Sequence, residues 1–168
     1  MSEFNENNAP KFIVDENVGK LLKMLRMLGF DAVFFNGEDD GMMLRIAMAE
    51  NRIVLTRDTR IFERHVVTSG KSRAVLIQSE RIQDQIQQVV AALNLRPLFR
   101  PFTRCLEDNQ PLLCRHREDI RPKVPPYVWQ TQQDYVECPA CSRIYWKGTH
   151  WQAMIKQLEK VSHQPEES

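Results

Sequence analysis

KFIVDENVGKLLKMLRMLGFDAVFF, residues 11–35, decides the fold. Its first four residues, KFIV, are apolar and β-rich and read as a buried strand ending at Asp15. From Val18 to Leu28 the apolar Leu21, Leu25 and Leu28, with Leu22 and Met24 alongside, recur at helical spacing, and Gly29 stands where a helix stops. FDAVFF then reads as a second strand. The same alternation continues outward. NGEDD is a turn whose last acid, Asp40, can cap a helix from Gly41 to Glu50, and Asn51 suits the left-handed position after it. RIVLT (52–56) is a third strand, Thr59–Ser69 a helix ending before Gly70, AVLIQ (74–78) a fourth strand and IQDQIQQVVAAL (82–93) a fourth helix. Strands alternating with helices predict a three-layer α/β fold with a mostly parallel sheet.

Beyond Leu95 the pattern breaks into short pieces rich in Pro, Arg and Cys. A chain of 168 residues has room for a domain of roughly 100 residues plus a small appendage. All four cysteines, Cys105, Cys114, Cys138 and Cys141, lie in that last third. Such short pieces build little core, and a metal would supply what the core lacks. One more helix is expected from about His150 to Val161. No segment approaches the roughly 20 apolar residues of a membrane span, and MSEFNENNAP lacks the basic and apolar regions of a signal peptide. The expectation is therefore a cytoplasmic protein. Thiols stay reduced there, so clustered cysteines favour metal over disulfides. The formal net charge of +1 predicts no partner by itself, so a nucleic-acid surface has to be a local patch.

Three aspartates stand at or beside junctions where a strand gives way to a helix: Asp15, Asp40 and Asp58. In an open parallel sheet the strand ends share one edge, so acids far apart in sequence converge there. Carboxylates forced together repel unless a cation sits between them, and hard oxygen ligands suit Mg²⁺ or Mn²⁺. A metal so held can activate water and stabilise the leaving oxygen of a phosphodiester. Each acid alone also reads as a simple helix cap or turn residue. Glu16 and Asp39 compete for the same roles, and Glu80 after the fourth strand is a further candidate. Arg57, Arg60 and Arg64 around Asp58, and Lys20, Lys23 and Arg26 along the first helix, are candidates for holding phosphate oxygens, or else solvated faces. Arg26, Arg57 and Arg60 are the preferred three.

Cys138-Pro-Ala-Cys141 is a zinc knuckle, because two thiolates three residues apart on a tight turn can reach one tetrahedral ion. Tyr145, Trp146, His150 and Trp151 follow it, with Arg143 and Lys147 among them. That mixture either stacks bases and holds phosphates in RNA or packs the small module.

KFIVDENVGKLLKMLRMLGFDA (11–32), EDDGMMLRIAMAENRIVLTRD (38–58), TRCLEDN (103–109), VPPYVW (124–129) and ECPACSRIYWKGTHW (137–151) occur in that order. Together, from about Lys11 to Met154, they resemble the Mut-seven C-terminal RNase domain family, a PIN-like ribonuclease fold carrying a zinc ribbon. The resemblance implies a PIN-like nuclease domain at 11–97, a zinc-ribbon module at 98–154, and flexible tails at 1–10 and 162–168. It implies a metal-dependent ribonuclease whose active-site acids match Asp15, Asp40 and Asp58, with RNA as the partner. It also implies a second CxxC beginning at Cys105, but position 108 is Asp. Zinc would then be held by Cys105, Cys138 and Cys141, with the fourth ligand open among Asp108, Cys114, His116 and His150.

Two rivals stand beside this reading. One is a non-catalytic RNA-binding or scaffolding protein that works through the ribbon while its acids serve as caps. The other is a phosphotransfer domain with Asp15 as nucleophile, for which DENV lacks a DxD pattern. No residue pattern names a protein partner.

Overall fold

The computed structural model describes residues 8–160, with the side chains of Leu158 and Lys160 left aside. The chain forms two compact units, Met1–Asn109 and Gln110–Ser168. The expected tails at 1–10 and 162–168 fall mostly outside the described residues.

In the first unit the order is β1 (Lys11–Asp15), a 3₁₀ turn (Glu16–Val18), α1 (Leu21–Met27), β2 (Ala32–Phe35), α2 (Asp40–Glu50), β3 (Arg52–Thr56), α3 (Thr59–Phe62), α4 (His65–Thr68), β4 (Ala74–Leu76) and α5 (Ile82–Ala92). The strands form one parallel sheet in the order β2-β1-β3-β4, with Val14 opposite both Phe34 and Leu55. Consecutive Phe12, Ile13 and Val14 are all buried, as a central parallel strand covered on both faces requires. Ile13 and Val54 pack with Met43, Leu44 and Ala47 of α2 and Ile61 of α3. Phe12 points the other way and meets Phe30 edge-on, ring centres 5.7 Å apart. The expected three-layer α/β architecture is present.

Strand order fixes where a site belongs. The connection from β1 runs outward to β2, the next returns past β1 to β3, and the third continues to β4. Right-handed crossovers then place α1 on one face and α2, α3 and α4 on the other. The chain leaves β1 and β3 toward opposite faces, so a crevice opens between their carboxyl ends. Asp15 ends β1, and Asp58 follows β3 by two residues.

Three local expectations change. The helix from Val18 to Leu28 starts only at Leu21, after the 3₁₀ turn. Asp39, not Asp40, caps α2 by accepting from the Met42 N–H, and the helix includes Asp40. The helix expected at 59–69 breaks into α3 and α4 because Arg64 is extended (ψ 134°) ahead of the β-branched Val66, Val67 and Thr68.

Residues 98–109 fall within the first compact unit, which ends at Asn109. Gly29 (φ +96°) lets the backbones close up: a Cβ there would lie 2.2 Å from the Arg100 carbonyl oxygen. Arg100 N–H donates to the Leu28 carbonyl at 2.8 Å, and Phe99 stacks edge-on against Phe30. Asn109 accepts from the Ala32 N–H (3.1 Å) and donates to Asp31 (2.7 Å).

The second unit contains β5 (Leu113–Arg115), α6 (Arg117–Ile120), α7 (Pro126–Thr131), β6 (Tyr135–Glu137), β7 (Ile144–Tyr145) and α8 (Thr149–Lys160). Its sheet is antiparallel, β5-β6-β7. The core is small: Ile120, Val124 and Tyr135, with Trp129, Ile144 and Trp146 packed against it. Arg117 and Arg121 lie over Trp129, 3.6 and 4.6 Å from its ring centre. No described helix is long and apolar enough to cross a membrane.

Candidate active site and metal centre

Thr56 is the fully buried polar end of β3, following the apolar Ile53, Val54 and Leu55, and it joins two of the acids. Its hydroxyl donates to Asp15 Oδ2 at 2.7 Å and accepts from the Asp58 backbone N–H at 3.0 Å. Asn17 reinforces the link: its amide donates to Asp15 Oδ2 (3.1 Å), and its oxygen accepts from the Arg57 N–H (3.1 Å). Asp15 Oδ1 accepts from the Glu16 N–H at 2.8 Å. Sequence reading passed over Thr56 and Asn17. The available signals were a hydroxyl closing the apolar run RIVLT and an amide two residues beyond Asp15.

Asp58 caps α3 and is clamped by Arg60. Oδ1 accepts from the Arg60 backbone N–H (2.9 Å) and Nε (3.1 Å), and Oδ2 from Nη2 (2.8 Å). The Arg60 guanidinium, then its backbone N–H, holds the Asp58 carboxyl below the usual carboxylate range; the Arg64 charge adds to this, and burial opposes it weakly. Asp40 lies in the first turn of α2, and its charge is felt at Arg60. Asp15 and Asp58 are thus linked through Thr56, while Asp40 relates to Asp58 through Arg60. Among the described residues, the three aspartates do not form a group with carboxylate oxygens all within 4.8 Å of one another.

The arginines part ways. Arg57 is half-buried and reaches the exposed Glu80 at 3.3 Å, so both line the same sheet edge. Arg60 is exposed. Arg26, expected to bind phosphate, instead turns inward and is 7 % exposed. Its Nε donates to the Ala32 carbonyl (2.9 Å) and its Nη1 to those of Leu106 (2.9 Å) and Glu107 (3.1 Å). Carbonyls of its own unit therefore take the donors that phosphate would need, and burial lowers its pKa despite the nearby Cys105 and Asp108. Lys23 pairs with Glu107 at 2.9 Å.

A second constellation is closed. Cys105, Asp108, Cys138 and Cys141 each offer one ligand atom, all within 4.8 Å of one another, a set able to hold a metal such as zinc. Ser142 N–H donates to the Cys138 carbonyl and Cys138 N–H to that of Arg143, the tight turn the knuckle needs. Ser142 takes φ +61° there. Asn109 N–H closes the turn onto the Cys105 carbonyl at 3.1 Å. Of the four candidates for fourth ligand, Asp108 is in the group. Cys114 on β5, His116 ahead of α6 and His150 on α8 are exposed and outside it.

A model of the Mut7-C RNAse domain family matches residues 10–158. No curated protein and no solved structure matches the chain.

Proposed function

The chain belongs to the Mut7-C RNAse domain family, and on that premise we propose that it is a metal-dependent ribonuclease acting in the cytoplasm, with Asp15, Asp40 and Asp58 holding Mg²⁺ or Mn²⁺. The observation that carries this reading is the Asp15–Thr56–Asp58 link across the crevice between β1 and β3. The donors fit such an ion in kind, being hard carboxylate oxygens, and Mg²⁺ keeps several waters and needs only one or two direct carboxylates. When bound, it supplies Lewis-acid stabilisation and a water of lowered pKa. The chain's own residues do the rest. Thr56 and Asn17 fix the Asp15 carboxylate, Arg60 keeps Asp58 ionised, and Arg57 and Arg60 are the cations placed to exchange their acid partners for phosphate oxygens. In the Cys₃Asp group a zinc ion would be structural, because four protein ligands leave no open position for water.

One observation favours the non-catalytic alternative: Asp15 and Asp58 both cap short helical turns. The deciding experiment incubates a mixture of structured and single-stranded RNA with purified protein and Mn²⁺, beside a chelator control and Asp58→Asn. Cleavage lost in both controls supports the nuclease. Intact RNA in every lane, from folded protein, selects the binding protein.

A further inference from the structure

The second unit holds a cavity of about 460 Å³ that the nuclease chemistry does not use. Its walls are Val124, Pro125, Ile144 and Trp146, with Glu137 and Lys123 as its charged members. The volume is within the range of small-ligand sites, and an apolar lining with a few fixed polar groups is their usual composition. Glu137 decides what such a ligand must offer. Its side chain is only 9 % exposed, with Arg115 Nε donating to Oε2 at 2.8 Å and Lys123 Nζ donating to Oε1 at 3.1 Å and, at the longer distance of 3.5 Å, to Oε2. An ionised carboxylate has about four acceptor positions. The two short bonds take one position on each oxygen and leave about one more on each, that on Oε2 shared with the long Lys123 contact, on a group its neighbours hold in one orientation.

We propose that this cavity is a single-base pocket for guanine in single-stranded RNA, with the base against Trp146 and its N1–H and N2–H donating to the Glu137 carboxylate. This rests on the reading of the protein as one that acts on RNA. Sequence-specific RNA recognition targets unstacked bases, which lie on aromatic side chains and are read along their hydrogen-bonding edges. Among the four bases, guanine alone presents two adjacent N–H donors on its Watson–Crick edge. Adenine and cytosine set an acceptor beside their amino group, and uracil flanks its one N–H with carbonyls. An acceptor-only carboxylate selects guanine and repels the others' acceptors. Lys123, 48 % exposed, places a positive charge beside the cavity for the adjoining phosphate.

The test uses the full zinc-loaded chain in buffer without Mg²⁺ or Mn²⁺, so that the probes stay uncut. The pentaribonucleotides UUGUU, UUAUU, UUCUU and UUUUU are titrated while the Trp146 indole N–H resonance is followed. The expected result is saturable movement of that resonance, with UUGUU bound about tenfold or more tighter than the others, as one bidentate base contact provides. Glu137→Gln keeps the shape but replaces one acceptor by a donor, so the preference for G collapses while binding to UUAUU persists. Should Glu137→Gln release zinc, Trp146→Leu serves as the second variant and removes the stacking partner for all four RNAs. Because it also removes the indole resonance, its binding is read, beside the parent's, by fluorescence anisotropy of 5′-labelled pentamers. All four are expected to bind more weakly by about tenfold or more, and unchanged affinity overturns the pocket. Equal affinity for the four RNAs, or movement of resonances elsewhere while Trp146 stays still, overturns the pocket. RNA cleavage is not read in this experiment. A pocket that binds UUGUU on a protein that cuts nothing, and a nuclease whose Trp146 never moves, are therefore separate outcomes.

Discussion

Replacing Arg26 by Met keeps most of the apolar stem and removes the guanidinium, which holds the carbonyls of Ala32, Leu106 and Glu107. A buried acceptor left without a donor costs about 1–3 kcal/mol. The Ala32 carbonyl is the buried one and bears that cost in full. Those of Leu106 and Glu107 are partly exposed and recover some of it from water. Relief from burying a charge, the cause that lowers the Arg26 pKa, offsets part of the loss. The net expectation is about 2–3 kcal/mol of destabilisation. For a chain of this size that is a fall in Tm of about 4–12 °C. The Leu106 and Glu107 carbonyls lie between Cys105 and Asp108, so the same change loosens half of the metal group. Thermal unfolding with and without added zinc reads both effects, and the stabilisation by zinc shrinks in the variant. An unchanged Tm together with weakened RNA binding would refute the reasoning and return Arg26 to the phosphate-binding role suggested by its sequence position.

Thr56→Val keeps the shape of a buried side chain and removes the hydroxyl joining Asp15 to Asp58; the proposed cleavage rate falls by roughly 10²-fold, as for a lost electrostatic or positioning contact, while the fold survives by circular dichroism. Asp39→Ala removes the cap of α2 and costs about 1 kcal/mol, whereas Asp40→Asn leaves Tm unchanged and abolishes metal-dependent cleavage, a contrast that thermal unfolding and an RNA gel separate. Asp31 is pushed up by burial but more strongly held down by Arg52 and Asn109, so its folded pKa lies below the ordinary 3.8. A depressed carboxyl contributes stability that is present above its unfolded pKa and lost as pH falls through the folded one. Asp31→Asn is therefore less stable than the parent at neutral pH, and the two stability curves converge below about pH 4, as urea titrations across pH will show.

How far the sequence reveals this depends on whether partners are local. RIVLT is read residue for residue as β3, and Asn51 takes the left-handed conformation (φ 53°) that its place after α2 predicts. Those features depend on neighbours within a few residues. Asp39 and Asp40 are adjacent acids, and only coordinates show which carboxylate reaches the Met42 N–H. Arg26 looks like one more cation beside Lys20 and Lys23. Its inward turn depends on carbonyls some eighty positions away, in a segment with no periodicity to announce that it folds back. Asp108 stood among four candidate ligands for the same reason: the knuckle names its own pair, while the other half of the group is set by tertiary structure.

Caps and metal ligands need the same residue at the same place, so an acid after a strand cannot by itself tell one role from the other. Capping is satisfied by bonds to the acid's own helix, as in Asp15 to the Glu16 N–H and Asp58 to the Arg60 N–H. It requires nothing from a neighbouring strand. Yet Asp15 also receives the hydroxyl of Thr56 from β3, and that same hydroxyl accepts from the backbone of Asp58. A buried polar group that ties two caps together across the crevice, where the chain turns toward opposite faces, adds nothing to either helix. It sets one carboxylate relative to the other. Asp40 makes the complementary case: Asp39 has taken the capping bond of α2, so the acid beside it serves no cap and is left to act through its charge, which Arg60 already feels. Bonds beyond the needs of capping at Asp15 and Asp58, and a carboxylate without capping duty at Asp40, are together what a shared cation at this edge would require.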